Sequence, residues 1–170
     1  MRSFRRRGDG LIAVRLSARE HALLASLPQQ IAALLTGESE SSAVRVRLFP
    51  PAYDEPEHEQ EYRQLMDDEL LDDRMAALRT FAETLEQGSV KRGVWQTELT
   101  PEAANAWLST TNDARLALGV VAGITTETQW EEPDEENPTH MTLMYLGWLQ
   151  EQLLSVLMRG IAAGEPPGGE

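Results

Sequence analysis

The chain has 170 residues, of which 28 are acidic and 15 are basic, so its formal net charge at pH 7 is −13. It contains no cysteine, which excludes disulfides, thiolate metal sites and a cysteine nucleophile. No apolar run approaches the roughly 20 residues that span a bilayer, and the Arg-rich N-terminus lacks the apolar core of a signal peptide, so we expect one cytoplasmic domain.

The first residues predict a β-hairpin. Phe4–Arg7 would form one strand, the turn Gly8–Gly10 can adopt the positive φ angles of a tight turn, and Leu11–Leu16 has a strand-like composition. Residues 1–7 include four arginines: Arg2, Arg5, Arg6 and Arg7. The pattern leaves open whether this segment is a charged edge strand or a basic arm that contacts phosphate or an acidic protein.

A helix follows, beginning at the capping box Ser17–Glu20 and ending at Gly37. Pro28 lies within it, and since an interior proline removes a backbone hydrogen bond, we expect a kink or a break there. Residues 38–42 are a predicted polar loop. Residues 43–53 then predict a short extended segment that ends in a pair of prolines.

The segment Asp54–Asp73 contains ten acidic residues and one arginine. Its apolar positions predict helix on both sides of Met66–Asp68, with the second helix ending at Gly88. Because the spacing lacks the glycine of a calcium-binding loop, we expect a solvated acidic face, with a docking surface for a basic partner as the alternative. Val90–Leu99 predicts one further strand.

The most strongly marked helix lies between Thr100, which suits an N-cap, and Gly123, which can end the helix in a left-handed conformation. Its polar cluster includes Asp113 and Arg115, close to the apolar face. Buried charges are costly unless they are paired. We therefore predict a structural ion-pair network of Asp113 and Arg115 with Arg47, and a polar ligand pocket is the alternative.

Residues 125–138 predict an acidic loop, and residues 164–170 predict a disordered tail. Between them, a helix is expected from about His140 to Ala162, with Thr139 as its N-cap. Its apolar side chains cover most of the circumference, which is more than one core usually buries. We therefore predict that this helix contributes to a homodimer.

The sequence carries no pattern that is typical of an enzyme or of a metal site. The three histidines lie far apart, and His58 lacks the second histidine of a helical zinc site. Phosphate-binding glycine loops and nucleophile elbows are absent from the sequence. We expect no enzymatic activity, no cofactor and no metal. The negative charge predicts weak or indirect DNA binding and favours protein partners.

The predicted elements belong to the α+β class. They describe a mainly helical single domain over residues 1–170, with an N-terminal β-hairpin and one further strand. Helical segments account for most of the apolar positions, and the sequence has no internal repeat. One core shared by all elements is therefore expected.

Three segments carry a resemblance to a known family: Arg47–Tyr53, Trp107–Gly119 and Leu146–Gln150. They are similar to the actinobacterial oxidative-stress regulator (AosR-like) family, long catalogued as a domain of unknown function. The resemblance covers nearly the whole chain and implies a cytoplasmic, homodimeric, transcription factor-like protein that acts with a sigma factor. Redox sensing in that family is attributed to cysteines, and since this chain has none, that mechanism does not transfer to it.

The functional hypothesis is a non-enzymatic regulatory protein that acts mainly through protein contacts, with a sigma factor as the candidate partner. The alternative is an adaptor or accessory factor of regulated proteolysis that binds a basic partner through the acidic face. The resemblance bears on this alternative too, because genes of that family are found near the gene for a proteolysis adaptor.

Overall fold

Five helices and a four-stranded antiparallel sheet make up the part of the chain that the computed structural model describes, which is residues 3–36, 41–124 and 136–163. In chain order the elements are β1 (Phe4–Arg6), β2 (Ile12–Leu16), α1 (Ala18–Thr36), α2 (Ser41–Leu48), α3 (Pro56–Gln87), β3 (Ser89–Lys91), β4 (Val94–Leu99), α4 (Pro101–Val121) and α5 (Pro138–Ala163). This confirms the predicted class, a mainly helical α+β domain with an N-terminal hairpin. Arg2, most of the predicted acidic loop and the predicted tail lie outside the described residues.

The sheet has the strand order β1-β2-β4-β3, and each neighbouring pair is antiparallel. Side chains along a strand point alternately to its two faces. The face that meets the helices carries the buried residues Phe4, Ile12, Val14, Leu16, Trp95 and Leu99. Since Phe4 is only 2% exposed, the described part of residues 1–7 is a strand anchored in the core and not a free basic arm.

Residues 89–99 form two strands, where the sequence predicted one. β3 ends at Lys91 and β4 begins at Val94, and both residues of the connecting turn, Arg92 and Gly93, have positive φ angles of 53° and 76°. A two-residue turn of this kind matches the twist of antiparallel strands. Because a non-glycine residue rarely adopts positive φ, the sequence pattern favoured an uninterrupted strand.

Helix α1 begins at the predicted capping box. The Glu20 N–H donates to Ser17 Oγ at 3.3 Å, and the Ser17 N–H donates to Glu20 Oε2 at 2.7 Å. The helix continues through Pro28, so the predicted break does not occur. An interior proline costs about 3 kcal/mol, whereas each large apolar side chain contributes about 1.5–3 kcal/mol when it is buried. The buried stripe of α1 outweighs the proline: Leu24, Leu27, Ile31 and Leu35.

Residues 43–48, predicted to be extended, belong to helix α2. Val44 and Leu48 are four residues apart and are both buried in the core. That spacing places them on one face of a helix. Valine favours strands on local preference alone, so tertiary packing overrides the local preference in this segment.

Helix α3 is one helix of 32 residues, and the predicted pair of helices is wrong. The junction expected at Met66–Asp68 is spanned by Arg63. Its guanidinium lies 2.7 Å from Glu59, one turn earlier, and 3.3 Å from Asp67, one turn later. Ion pairs at this spacing each stabilise a continuous helix by about 0.3–0.5 kcal/mol. From Glu57 onward, the acidic run therefore lies on one uninterrupted helix.

Helix α4 is central and packs against α1, α2, α3, α5 and β4. Both predicted ends are confirmed, because the Thr100 side chain caps the first turn and Gly123 has a φ angle of +70°. The N–H groups of Gly123 and Ile124 donate to carbonyls of the last helical turn at 3.0 and 2.9 Å. This is a Schellman motif, which only a residue that tolerates positive φ can complete without strain.

Trp107 of α4 is fully buried where the sheet meets the helices. Its ring centroid lies 4.7 Å from that of Phe81 in α3, 6.0 Å from that of Phe4 in β1 and 6.4 Å from that of Trp95 in β4. Its Nε1–H donates to Thr84 Oγ1 at 2.8 Å, so the one polar atom of the ring is satisfied. This aromatic cluster joins the sheet, α3 and α4.

Helix α5 begins at Pro138, and its N-cap is Asn137 and not the predicted Thr139. The Asn137 Oδ1 accepts hydrogen bonds from the N–H groups of Thr139 at 3.0 Å and His140 at 3.4 Å. Asparagine is a strong N-cap, and proline suits the first helical position because its missing N–H would have no partner there. The helix therefore starts earlier than predicted.

Gly88 joins α3 to β3 at a point where the Trp95 ring leaves no room for a side chain. A Cβ atom at position 88 would lie 2.1 Å from Trp95 Cζ2. We expect Gly88→Ala to lower the free energy of unfolding by about 1–3 kcal/mol, because the ring or the backbone must move. The control is Gly8→Ala, since nothing lies within 4 Å of a Cβ there. Thermal unfolding followed by circular dichroism measures both, and equal losses would contradict the packing argument.

Candidate partner-binding surfaces

Asp113 of α4 forms a buried ion pair with Arg74 of α3. The carboxylate residue is 3% exposed. Burial raises the pKa of Asp113, while the hydrogen bond and the positive charge of Arg74 oppose that rise. The same guanidinium donates to the Leu48 carbonyl at 2.6 Å and lies 4.8 Å from the centre of the Phe49 ring. Arg74 therefore ties α3 to α4 and to the C-terminal end of α2.

The partner predicted for Asp113 was Arg47, and the structure places Arg74 there instead. Arg47 lies on the exposed side of α2. The reason is the helical conformation of this segment, which buries Val44 and Leu48 and turns the position between them outward. The carbonyl at the end of α2 then attracts a cation, as the C-terminal ends of helices do.

The pair makes Asp113 a structural residue in this arrangement. We expect Asp113→Ala to lower the free energy of unfolding by about 3 kcal/mol, because Arg74 would keep its charge and lose its acceptor. Chemical denaturation of the variant and of the wild type measures the loss. Arg79→Ala is the control, since Arg79 is an exposed arginine on the same helix. An unchanged midpoint in Asp113→Ala would contradict a structural role.

Arg47 and Arg115, the other two members of the predicted network, line a groove of about 510 Å³ between α2, α4 and α5. Arg115 Nη1 donates to Gln150 Oε1, and Gln150 Nε2 donates to Asn112 Oδ1 at 3.3 Å. Within the described ranges, neither arginine of the groove takes part in an ion pair. Of the predicted network, Asp113 thus pairs with Arg74, whereas Arg47 and Arg115 line the groove.

The groove is where the segments that carry the family resemblance meet. α2 contributes Arg47, α4 contributes Asn112 to Gly119, and α5 contributes Gly147 and Trp148. The Arg115 guanidinium lies against α5 at Gly147, where an added Cβ would be in ordinary van der Waals contact with its Nε, Cζ and Nη2 atoms at 3.6 Å. Side chains distant in sequence therefore form one surface.

A second feature, the outer face of α5, borders this groove. We use the name for the side of the helix that carries Met141, Met144, Trp148, Leu154 and Met158, which are 39–56% exposed. The opposite side of α5 is buried in the core: Leu143, Leu146, Leu149 and Leu153. An exposed stripe of tryptophan and methionine beside arginines has the composition of a protein interface. The sequence places apolar residues around most of the circumference of α5, and the core buries only one side of them.

The open side of the sheet, together with its β1 edge where α5 contacts the sheet, forms a third surface, which we call the basic sheet face. It is a groove of about 910 Å³ lined by six cationic side chains and one carboxylate: Arg5, Arg6, Arg7, Arg15, Lys91, Arg159 and Glu98. Arg7 is paired with Asp9 at 2.9 Å and also with Glu98. Arg6 lies against α5, because a Cβ at Gly160 would be 1.8 Å from its Nη1.

The basic sheet face joins the three described N-terminal arginines to three further cations. Arg15 comes from β2, Lys91 from β3 and Arg159 from α5. Strand alternation could have indicated Arg15, because Arg5 pairs with Ala13 and residues 13 and 15 share a face. Lys91 and Arg159 had no such signal, since only the tertiary structure brings them to this side.

A fourth surface is the acidic side of α3. Glu59 is held by hydrogen bonds from Arg63 Nε at 2.7 Å and from the N–H groups of Tyr53 at 2.9 Å and Ala52 at 2.8 Å. The Arg63 hydrogen bond is the largest cause that lowers the pKa of Glu59. Asp67 pairs with Arg63 at 3.3 Å, and the remaining carboxylates of this part of the helix face solvent: Glu57, Glu61, Asp68, Glu69, Asp72 and Asp73. These exposed carboxylates of α3 thus lie on a different surface from the cations of the basic sheet face.

The histidines take structural positions. The His21 ring stacks on Trp95 at 4.8 Å, and His58 lies 3.0 Å from Glu55 on the surface. Among the described residues, no three side chains of histidine, aspartate or glutamate come together in a way that could hold a metal ion. Within the same ranges, none of the helices is both long enough and apolar enough to cross a membrane.

Comparison with known proteins gives one family. The family model described as a domain of unknown function, DUF2017, matches residues 1–157. No curated protein and no solved structure gives a significant match. The matched range includes every helix and strand described above, apart from the last residues of α5.

Proposed function

The chain belongs to the DUF2017 family, and we propose that it is a non-enzymatic regulatory protein that binds a protein partner at the outer face of α5 and the adjoining groove. The observation that carries this proposal is the exposed stripe around Trp148, bordered by Arg47 and Arg115, which form no ion pair with any described residue. Tryptophan and arginine are the residues that most often dominate binding energy at protein interfaces.

Exposure of the apolar side chains on the outer face of α5 to water is energetically unfavourable. Trp148, Met144 and Met158 remain 39%, 45% and 56% exposed, although the same helix has a full core-facing side. Burying such side chains contributes about 25 cal/mol per Å² of apolar surface. A partner that covers the stripe gains this energy, and its carboxylates can pair with the two arginines of the groove.

The partner class follows from the resemblance to actinobacterial oxidative-stress regulators, which supports a sigma factor or another component of transcription. The same resemblance supports a cytoplasmic location. Since the chain has no cysteine, its response to a signal would have to come from the partner or from a ligand. Contact with DNA would then be made mainly by the partner, which agrees with a net charge of −13.

A capture experiment from the native cytoplasm tests the proposal. Wild-type protein should enrich a component of the transcription machinery, identified by mass spectrometry. The double variant Met144→Ser with Trp148→Ser should lose most of that enrichment, because it removes two central apolar side chains of the surface. Leu65→Ser is the matched control, since Leu65 is 78% exposed on the distant helix α3. Equal capture by all three proteins would overturn the proposed surface.

The runner-up is an adaptor or accessory factor of regulated proteolysis that binds a basic partner. The observation in its favour is the row of exposed carboxylates on α3, which includes Glu61, Asp68 and Asp72. Such a surface attracts cationic segments over about one Debye length, roughly 8 Å at physiological salt. Capture of proteolysis components that is lost when these carboxylates become amides, and kept in the α5 double variant, would favour this function.

We further propose that the outer face of α5 pairs two copies of the chain when no partner is bound. A two-fold contact lets each copy present the same stripe, as in most homodimers. Light scattering of the intact protein in the micromolar range should then give about twice the monomer mass of 19.0 kDa. The Met144→Ser and Trp148→Ser double variant should give the monomer mass. A wild-type protein that stays strictly monomeric would remove the homodimer from the proposal.

A further inference from the structure

We propose that the basic sheet face binds an extended acidic segment of a polypeptide partner. This site adjoins the outer face of α5 at Arg159 and includes none of the five apolar side chains that define that face. It goes beyond the proposed function, because it gives the domain a second binding surface with its own ligand chemistry.

The charge of the face is opposite to that of the whole chain. Its lining has six cationic side chains and one carboxylate, in a protein with a net charge of −13. Within the described residues, Arg5, Arg6, Arg15 and Lys91 take part in no ion pair. Like charges held together on a rigid sheet repel one another, and a bound anion removes that repulsion. The free protein therefore presents a preformed anion-binding surface.

The strand register suits an extended chain. Arg5, Ala13 and Glu98 form one row across the sheet, and Arg15 and Gln96 form the next. Successive rows on one face are about 6.6 Å apart, which is also the distance between alternate side chains of an extended peptide. A segment with acidic residues at alternate positions therefore places its carboxylates at the spacing of these rows.

Neutral polar groups between the cations fit a polypeptide ligand. Gln87, Ser89 and Gln96 line the same groove. Their amide and hydroxyl groups can both donate and accept hydrogen bonds, as the backbone of a peptide requires. A groove of about 910 Å³ is also large enough for several residues of an extended chain.

A nucleic acid fits this face less well. Among the described residues that line it, Phe4 is the one aromatic residue and is 2% exposed, so none of these residues offers a ring for base stacking. A duplex carries about one charge per 1.7 Å and would extend beyond the groove over the acidic remainder of the protein. A short acidic peptide interacts with the groove alone, because more distant charges are screened.

Fluorescence anisotropy with a labelled peptide tests the site. The probe is a peptide of about ten alternating Glu and Ser residues, and the reference probe has Gln in place of Glu. The acidic probe should bind the full-length protein at physiological salt, where the Debye length is about 8 Å, weaken as salt is raised further, and bind much more tightly than the neutral one. Equal binding of both probes, or no binding of the acidic one, would overturn the proposal.

Matched variants locate the site. Arg15→Gln with Arg159→Gln should weaken binding of the acidic probe by about tenfold, since two exposed ion pairs are lost. Arg45→Gln with Arg79→Gln removes the same charge from exposed positions outside the groove and should change binding by less than about twofold. All four positions are exposed, so both variants should fold, which circular dichroism checks. Equal weakening in the two variants would mean a general charge effect and overturn the site.

Two further measurements distinguish peptide binding at this face from nucleic-acid binding and from binding at the outer face of α5. A single-stranded oligonucleotide and a duplex of random sequence are titrated at the same salt concentration, and tighter binding of either than of the acidic peptide would overturn the proposal in favour of a nucleic-acid surface. The Met144→Ser and Trp148→Ser double variant should bind the acidic peptide as the wild type does. Loss of peptide binding in that variant would contradict the separation of the two sites.

Discussion

The burial of Trp107 is the contact on which the rest of the fold depends. Its ring touches the aromatic side chains Phe4, Phe81 and Trp95, which come from the first strand, the long helix and the last strand. An aromatic side chain of this size buries roughly 150–250 Å² and dominates the energetics of a core. Because the sheet, α3 and α4 meet at this ring, its packing sets the orientation of the sheet relative to α4. It therefore also sets the position of the open face of the sheet.

Arginine has two distinct roles in this domain. Arg74 contacts Asp113, the Leu48 carbonyl and the Phe49 ring. It thereby connects α2 and α3 to α4. Arg47 and Arg115, outside, have no carboxylate partner among the described residues. A partly buried guanidinium such as that of Arg74 needs an internal anion because desolvation is costly, whereas an exposed guanidinium can pair with an external partner.

The surfaces of the domain are segregated by chemistry. Carboxylates dominate the acidic side of α3, and cationic side chains dominate the basic sheet face. The outer face of α5 is mainly apolar. Mixed charge over the whole surface would favour solubility without preference for a partner. Segregated surfaces instead let one domain contact several partners of different chemistry at once, which suits the regulatory role proposed above.

The sequence by itself determined the α+β class, the N-terminal hairpin, the capping box at Ser17 and both ends of α4, because these features depend on residues within one or two turns of each other. Tertiary structure alone decided that residues 43–48 are helical, that Asp113 pairs with Arg74, and that Lys91 and Arg159 join the basic sheet face. These outcomes depend on which distant side chains share a core or a surface, and local preference carries no information about such neighbours.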